Sequence, residues 1–136
     1  MILWDVMAAL GDALKTISDP PLRVYPYTEA RITPPAGMVT LPRTFAYDAT
    51  FGRGSDDFTV PVIIFVGRVD AESSHRALCA YVDGAGPRSV KETIEQHETT
   101  AYDIAHVLDV QFLVMTVASV DLLTATFRVR VVGRGQ

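Results

Sequence analysis

The stretch Tyr47-Asp-Ala-Thr-Phe-Gly-Arg-Gly-Ser-Asp-Asp-Phe58, running directly into Thr59-Val-Pro-Val-Ile-Ile-Phe-Val66, decides how the chain is read. A polar, glycine-punctuated loop over 48–57 feeds a strand over 58–66 that is almost wholly apolar. A continuous apolar run implies cover on both faces, as for an inner strand of a sheet with helices packed on it.

Upstream, Ile2, Leu3, Val6, Met7, Leu10, Leu14 and Ile17 recur at three- and four-residue spacing, which predicts an amphipathic helix over 2–17. Asp19-Pro20-Pro21 stops it, because proline lacks the N–H and clashes with the preceding turn. Leu22 to Tyr27 reads as a short strand that Pro26 confines to an edge. Pro34-Pro35-Ala36-Gly37 is a turn, and Met38–Leu41 with Phe45–Tyr47 form one strand broken at Pro42.

Downstream, 70–82 reads as a helix capped by Asp70, with Ala71, Leu78, Tyr81 and Val82 as its buried stripe. Gly84-Ala-Gly-Pro87 ends it, and Ser89 followed by Glu92 is a capping box opening a short helix to about Gln96. Ile104–Val117 and Leu122–Val132 are the last two strands, a hairpin turning near Ala118-Ser119. In the last strand Leu123, Ala125, Phe127, Val129 and Val131 alternate with Thr124, Thr126, Arg128 and Arg130, one face core and the other polar and basic. The order α-β-β-β-α-α-β-β points to an α+β domain over 1–136: a mainly antiparallel sheet with two or three helices packed on it.

Composition agrees with one globular domain: 136 residues, 49% apolar and 21% charged. The net charge of −4 argues against a protein held to nucleic acid by phosphate contacts. Charge is nevertheless uneven, with eight acids against three bases over 69–109 and one acid against three bases over 110–136. The longest uncharged apolar-rich run, Val110 to Val120, is far below the roughly 20 residues a bilayer span needs. The N-terminus carries Asp5 where a signal peptide carries bases, so the protein is expected to be made and kept in the cytoplasm. The single Cys79 excludes an internal disulfide.

No residues assemble into a recognisable active site. Gly52-Arg53-Gly54 lacks the lysine and the following helix of a phosphate loop. His75 and Cys79 are four apart on a helix, but nothing local orients them, and Cys79 reads as a small core residue. His97, Glu98, Asp103 and His106 have the residue types of a metal site without its spacing. Asp56 and Asp57, adjacent in a strand, point to opposite faces and serve better as charges guarding an aggregation-prone strand. No catalytic, cofactor or metal residue is therefore expected.

One succession of pieces spans nearly the whole chain. An amphipathic helix and a proline turn precede Leu22-Arg-Val-Tyr25; Pro34-Pro35 and an apolar strand follow. Then come Tyr47-Asp-Ala-Thr-Phe-Gly-Arg-Gly54, Val60-Pro-Val62, Ser89-Val-Lys91 opening the short helix, and a terminal hairpin. In this order the sequence resembles the tail terminator (tail completion) proteins of long-tailed, non-contractile bacteriophages, particularly those infecting actinobacteria. The resemblance implies a structural virion protein rather than an enzyme, without cofactor or membrane association. It would be assembled in the host cytoplasm and located at the head–tail junction. It would form a homo-hexameric ring on the last ring of the major tail tube protein, stop tube growth, and dock to the head-tail connector or stopper protein. Genomic DNA would pass the channel without sequence-specific binding.

Under that resemblance, loop 46–57 is expected to reach toward a neighbouring ring. Tyr47, Phe51 and Phe58 would be aromatic anchors, Arg53 a bidentate partner, and Asp56 and Asp57 would lie beside them. Arg128 and Arg130 on the last strand are further interface candidates. Two other readings stay open at this point: a head-tail connector or stopper protein, and a small cytoplasmic enzyme or ligand-binding α+β domain.

Overall fold

The computed structural model describes residues 2–17, 22–27, 31–43 and 55–134. Its elements are α1 (Leu3–Lys15), β1 (Arg23–Tyr25), β2 (Ala36–Val39), β3 (Ser55–Arg68), α2 (Glu72–Val82), α3 (Val90–Gln96), β4 (Ile104–Val117) and β5 (Val120–Arg134). The five strands form one sheet in the order β1-β2-β3-β5-β4. β1 and β2 are parallel, and every other neighbouring pair is antiparallel. The fold is α+β, with the element order expected from the sequence.

The helices gather on one face of this sheet. Val6, Leu10, Ala13 and Leu14 of α1, Leu78 and Tyr81 of α2, and Val90 and Ile94 of α3 share a core with alternate residues of the strands. Those strand residues are Phe58, Val60, Val62 and Ile64 of β3, Ala105 and Val107 of β4, and Leu123, Ala125, Phe127, Val129 and Val131 of β5. The spacing of two along each strand meets the three- and four-residue spacing of the helices, which closes the core.

β3 is an inner strand, as its apolar run implied, but it is longer than 58–66. Pairing with β5 extends from Ser55 opposite Arg134 to Arg68 opposite Leu122, so the first three strand residues fall inside the stretch expected as loop. Among the described residues, cover on its second face is only local. Ala36, Met38, Phe65 and Leu122 form a small cluster there, flanked by Tyr25, Ile32, Ile63, Met115 and Val117. Pro61 sits in this inner strand without breaking it. Its carbonyl accepts from Thr40 N at 3.0 Å on the β2 side, just past the end of β2, where no ladder bond requires the missing N–H.

A bulge between Phe65 and Gly67 brings β3 close under α2. Gly67 has φ of 149°, and a Cβ placed there would lie 2.6 Å from Ser74 Oγ. Both facts require glycine. α2 begins at Glu72 rather than at 70: its N-cap is Ala71, with no side-chain cap, and Asp70 instead lies 3.6 Å from Arg68 Nε. Its buried residues are Ser74, Leu78 and Tyr81, with Ala71 and Val82 only partly covered.

α3 carries half of the expected capping box. Ser89 Oγ accepts from Glu92 N at 3.2 Å, but the Glu92 carboxylate turns to Gly86 N at 2.7 Å, while Ser89 N is bound to Gly86 O. The final hairpin turns through Ala118 (φ 49°) and Ser119 (φ 65°), two left-handed residues whose twist matches that of paired strands. Thr124, expected on the polar face, is fully buried and donates to Leu113 O at 3.0 Å.

Two expectations for stability follow from this packing. Gly67→Ala should cost about 1–3 kcal/mol in denaturant unfolding, from the backbone strain alone. The Tyr102 hydroxyl is buried without a hydrogen-bond partner, and burial pushes its pKa up to about 12. Tyr102→Phe removes that unsatisfied group and should leave the domain about 1 kcal/mol more stable. A loss of stability in that variant would mean the hydroxyl is bonded in solution.

Candidate assembly surface

The residues with chemical potential are dispersed. His75 and Cys79 lie one turn apart on α2 and both are exposed. His75 Nε2 donates to Val69 O at 2.9 Å. Cys79 is not the core residue expected, because it falls one position past the Leu78 stripe and faces outward. His106 Nδ1 lies 2.9 Å from Glu95 Oε2. Among the described residues no cluster of three or more His, Cys, Asp or Glu side chains is placed to hold a metal ion.

Of the expected interface residues, Tyr47, Phe51 and Arg53 lie outside the described residues, and so does the side chain of Asp56. Phe58 is corrected from surface anchor to core: it is only 5% exposed, because the start of β3 points it at the helix side. Asp57 lies on the opposite face and takes a bidentate pair from Arg130, with Arg130 Nε 2.9 Å from Oδ1. Arg128 is paired in the same way with Asp109, across the β4–β5 ladder.

Arg128 and Arg130 thus present no free positive charge on the polar face of β5. Hydrogen bonds from Arg130, together with its charge, hold the Asp57 carboxyl below its ordinary value. Arg128 does the same to Asp109. Each guanidinium is in turn held more firmly protonated by its partner. These pairs are half-exposed, so their contribution to stability is small; their effect is to remove free positive charge from that surface.

What the surface does concentrate is apolar area, at the two edges of the sheet. At one edge Trp4 of α1 is 59% exposed and stacks on Tyr27, just beyond β1, with ring centroids 6.2 Å apart; Ile2 is exposed near the same helix end. At the other edge lies β4. Its first half is covered by α3, where Glu95 Oε2 accepts the outward N–H of Val107 at 2.9 Å and Glu95 Oε1 holds Lys91 Nζ at 2.5 Å. A bulge between Val107 and Asp109 follows.

Beyond the bulge the strand runs past its helical cover. Leu108, Phe112, Leu113 and Val114 are 43–57% exposed, and Val120 across the turn is also exposed. Phe112 forms one wall of an open apolar groove whose other side is Leu78, Cys79 and Val82 of α2, with Leu123 between and His75 and Asp83 at its rim. From Val110 to Val120 there is no charged residue. Native edge strands are ordinarily guarded by charges, proline or covering elements. Among the described residues only the first half has such a guard. The charge-free run is plain in the sequence; that it forms an edge becomes visible only once β5 is placed inside the sheet.

Glu95 carries a pH dependence. Burial alone would raise its pKa, but the Lys91 ammonium, the Val107 N–H and nearby His106 outweigh it and hold the carboxyl below its ordinary 4.5. The folded form therefore binds fewer protons than the unfolded form in the acid range. This contribution to stability is present above about pH 4.5 and is lost as pH falls through the lowered folded value. Urea midpoints should decline in that window for the wild type and decline less steeply for Glu95→Gln. Identical slopes would exclude Glu95 as an anchor of α3 on β4.

No protein-family model matches the chain, and no curated protein sequence matches it.

Proposed function

We propose that the protein is a structural component of a phage tail. It caps the tail tube when the tube has reached its length, as a ring of six copies, and offers the surface to which the filled head docks. The observation that supports this reading is the presence of two unlike apolar surfaces at opposite edges of one sheet, Trp4 with Tyr27 at the β1 side and the second half of the β4–β5 hairpin at the other. A closed ring repeats one heterologous contact by rotation, so each protomer needs two different complementary surfaces. Exposed aromatic side chains are suited to carry such contacts.

The chemistry of the surface supports the same reading. Arg128 and Arg130 of β5 are paired with Asp109 and Asp57, so neither offers a free positive charge to hold passing DNA. The resemblance of the sequence to tail terminators supplies the number six and the partners, namely the major tail tube protein and the head-tail connector or stopper protein.

A phage lacking this gene is expected to produce abnormally long tails that do not join heads, and the purified protein to bind the ends of isolated tail tubes. Normal tails beside heads that leak DNA would instead assign the protein to the connector or stopper side of the junction. Trp4→Ala should weaken binding to tube ends at least tenfold while leaving the thermal unfolding midpoint within a few degrees, since the indole is largely outside the core.

A further inference from the structure

Among the described residues nothing guards the second half of β4 at the edge of the sheet, and what fits it can be argued by elimination. Inside the molecule it is out of reach of the group that closes the first half, because Glu95 binds Val107, before the bulge. The sheet's other edge is a poor match. β1 is three residues long and is bracketed by Pro21 and Pro26, neither of which has an N–H to offer a neighbouring strand. Among the described strands, the one that matches the edge of β4 in length and, from Val110, in apolar, charge-free composition is β4 itself.

We infer that two free copies of this chain pair through the second halves of their β4 strands, antiparallel across a two-fold axis, so that the two five-stranded sheets join into one of ten strands. Charge permits this pairing. A protein of net charge −4 repels its own copy, yet Val110 to Val120 carries no charge. Leu113, Val114 and Phe112 meet apolar counterparts, and no like charges face each other across the axis. An antiparallel pair keeps side chains of both copies on the same face, so the groove between Phe112 and α2 continues into that of the partner copy.

The area defines the strength of the contact. With roughly 100 Å² per fully exposed apolar side chain, the half-exposed Leu108, Phe112, Leu113, Val114 and Val120 supply roughly 250 Å² per copy before backbone is counted. Even with the backbone and flanking residues, the total over two copies lies at the low end of specific interfaces, below about 1,200 Å². The dimer is therefore reversible and concentration-dependent. The inference does not rest on the proposed ring. It concerns the free protein, and it would occupy one of the two surfaces the ring needs until that edge is released.

The test is molar mass by light scattering over a hundredfold range of concentration, together with cysteine cross-linking. Mass should rise from 14.9 kDa toward twice that value and fall back on dilution. Val114→Lys places like charges across the axis and should hold the mass at 14.9 kDa at every concentration, with an unchanged circular dichroism spectrum. Antiparallel partners lie about 4.5–5.5 Å apart at Cα, within disulfide reach. In a Cys79→Ser background, Leu113→Cys or Val114→Cys should therefore oxidise to a covalent dimer, whereas Ser73→Cys on exposed α2 should not. These cysteine variants keep the edge uncharged, so they answer even if the lysine variant unfolds. A constant monomer, species larger than a dimer, or cross-linking equal at position 73 would each overturn the inference.

Discussion

The structure depends on the pairing of β3 with β5. That ladder runs from Ser55 opposite Arg134 to Arg68 opposite Leu122, and everything else attaches to it. β2 adds to its far side and carries β1, and β4 adds to β5 through the hairpin. The helix-facing side chains of β3 and β5, from Phe58 to Ile64 and from Leu123 to Val131, form the surface on which all three helices close. Because β5 is inner, its pleat must be covered on the core face along its whole length. The three helices cover it as far as Leu123, where α2 packs, and leave Phe112 of the neighbouring β4 more than half exposed at the groove.

That shortfall sets the character of the surface. α3 is seven residues long, and its Glu95 reaches as far as Val107 of β4. From Val110 onward the strand has, among the described residues, an open edge, half-exposed apolar side chains on both faces and no charge. A soluble protein rarely leaves such an edge unpaired, since it offers hydrogen bonds and apolar area to any passing strand. The same feature serves two kinds of assembly: an apolar surface at each edge of the sheet suits a ring, and an edge that matches itself suits a reversible dimer of the free chain.

Much of this was legible in the sequence, for identifiable reasons. The heptad-like spacing from Ile2 to Ile17, the alternation from Leu123 to Val131, and the short Ala118-Ser119 link each follow from local periodicity, and each element stands where it was expected. The start of β3 was not legible, because Ser55, Asp56 and Asp57 look like loop until their β5 partners are known. The pairing of Arg130 with Asp57 crosses 73 positions and that of Arg128 with Asp109 crosses 19, so two arginines that read as free along one strand are paired in the sheet. Phe58 and Cys79 exchanged their expected places for a related reason. One residue of offset along a strand or helix turns a side chain from core to solvent, and the sequence pattern fixes that offset only in the middle of an element. Most of the loop expected to make contacts, including Tyr47, Phe51 and Arg53, lies outside the described residues.

The central claim is that the second half of β4 is an edge awaiting a strand. Hydrogen exchange of the amides from Val110 to Val117, measured at low and at high protein concentration, tests it most directly. Exchange that is fast at the edge when dilute, and slows there when concentrated while β3 and β5 stay unchanged, is the result expected. Exchange in this segment that is independent of concentration, or as slow as in β5 throughout, would contradict it.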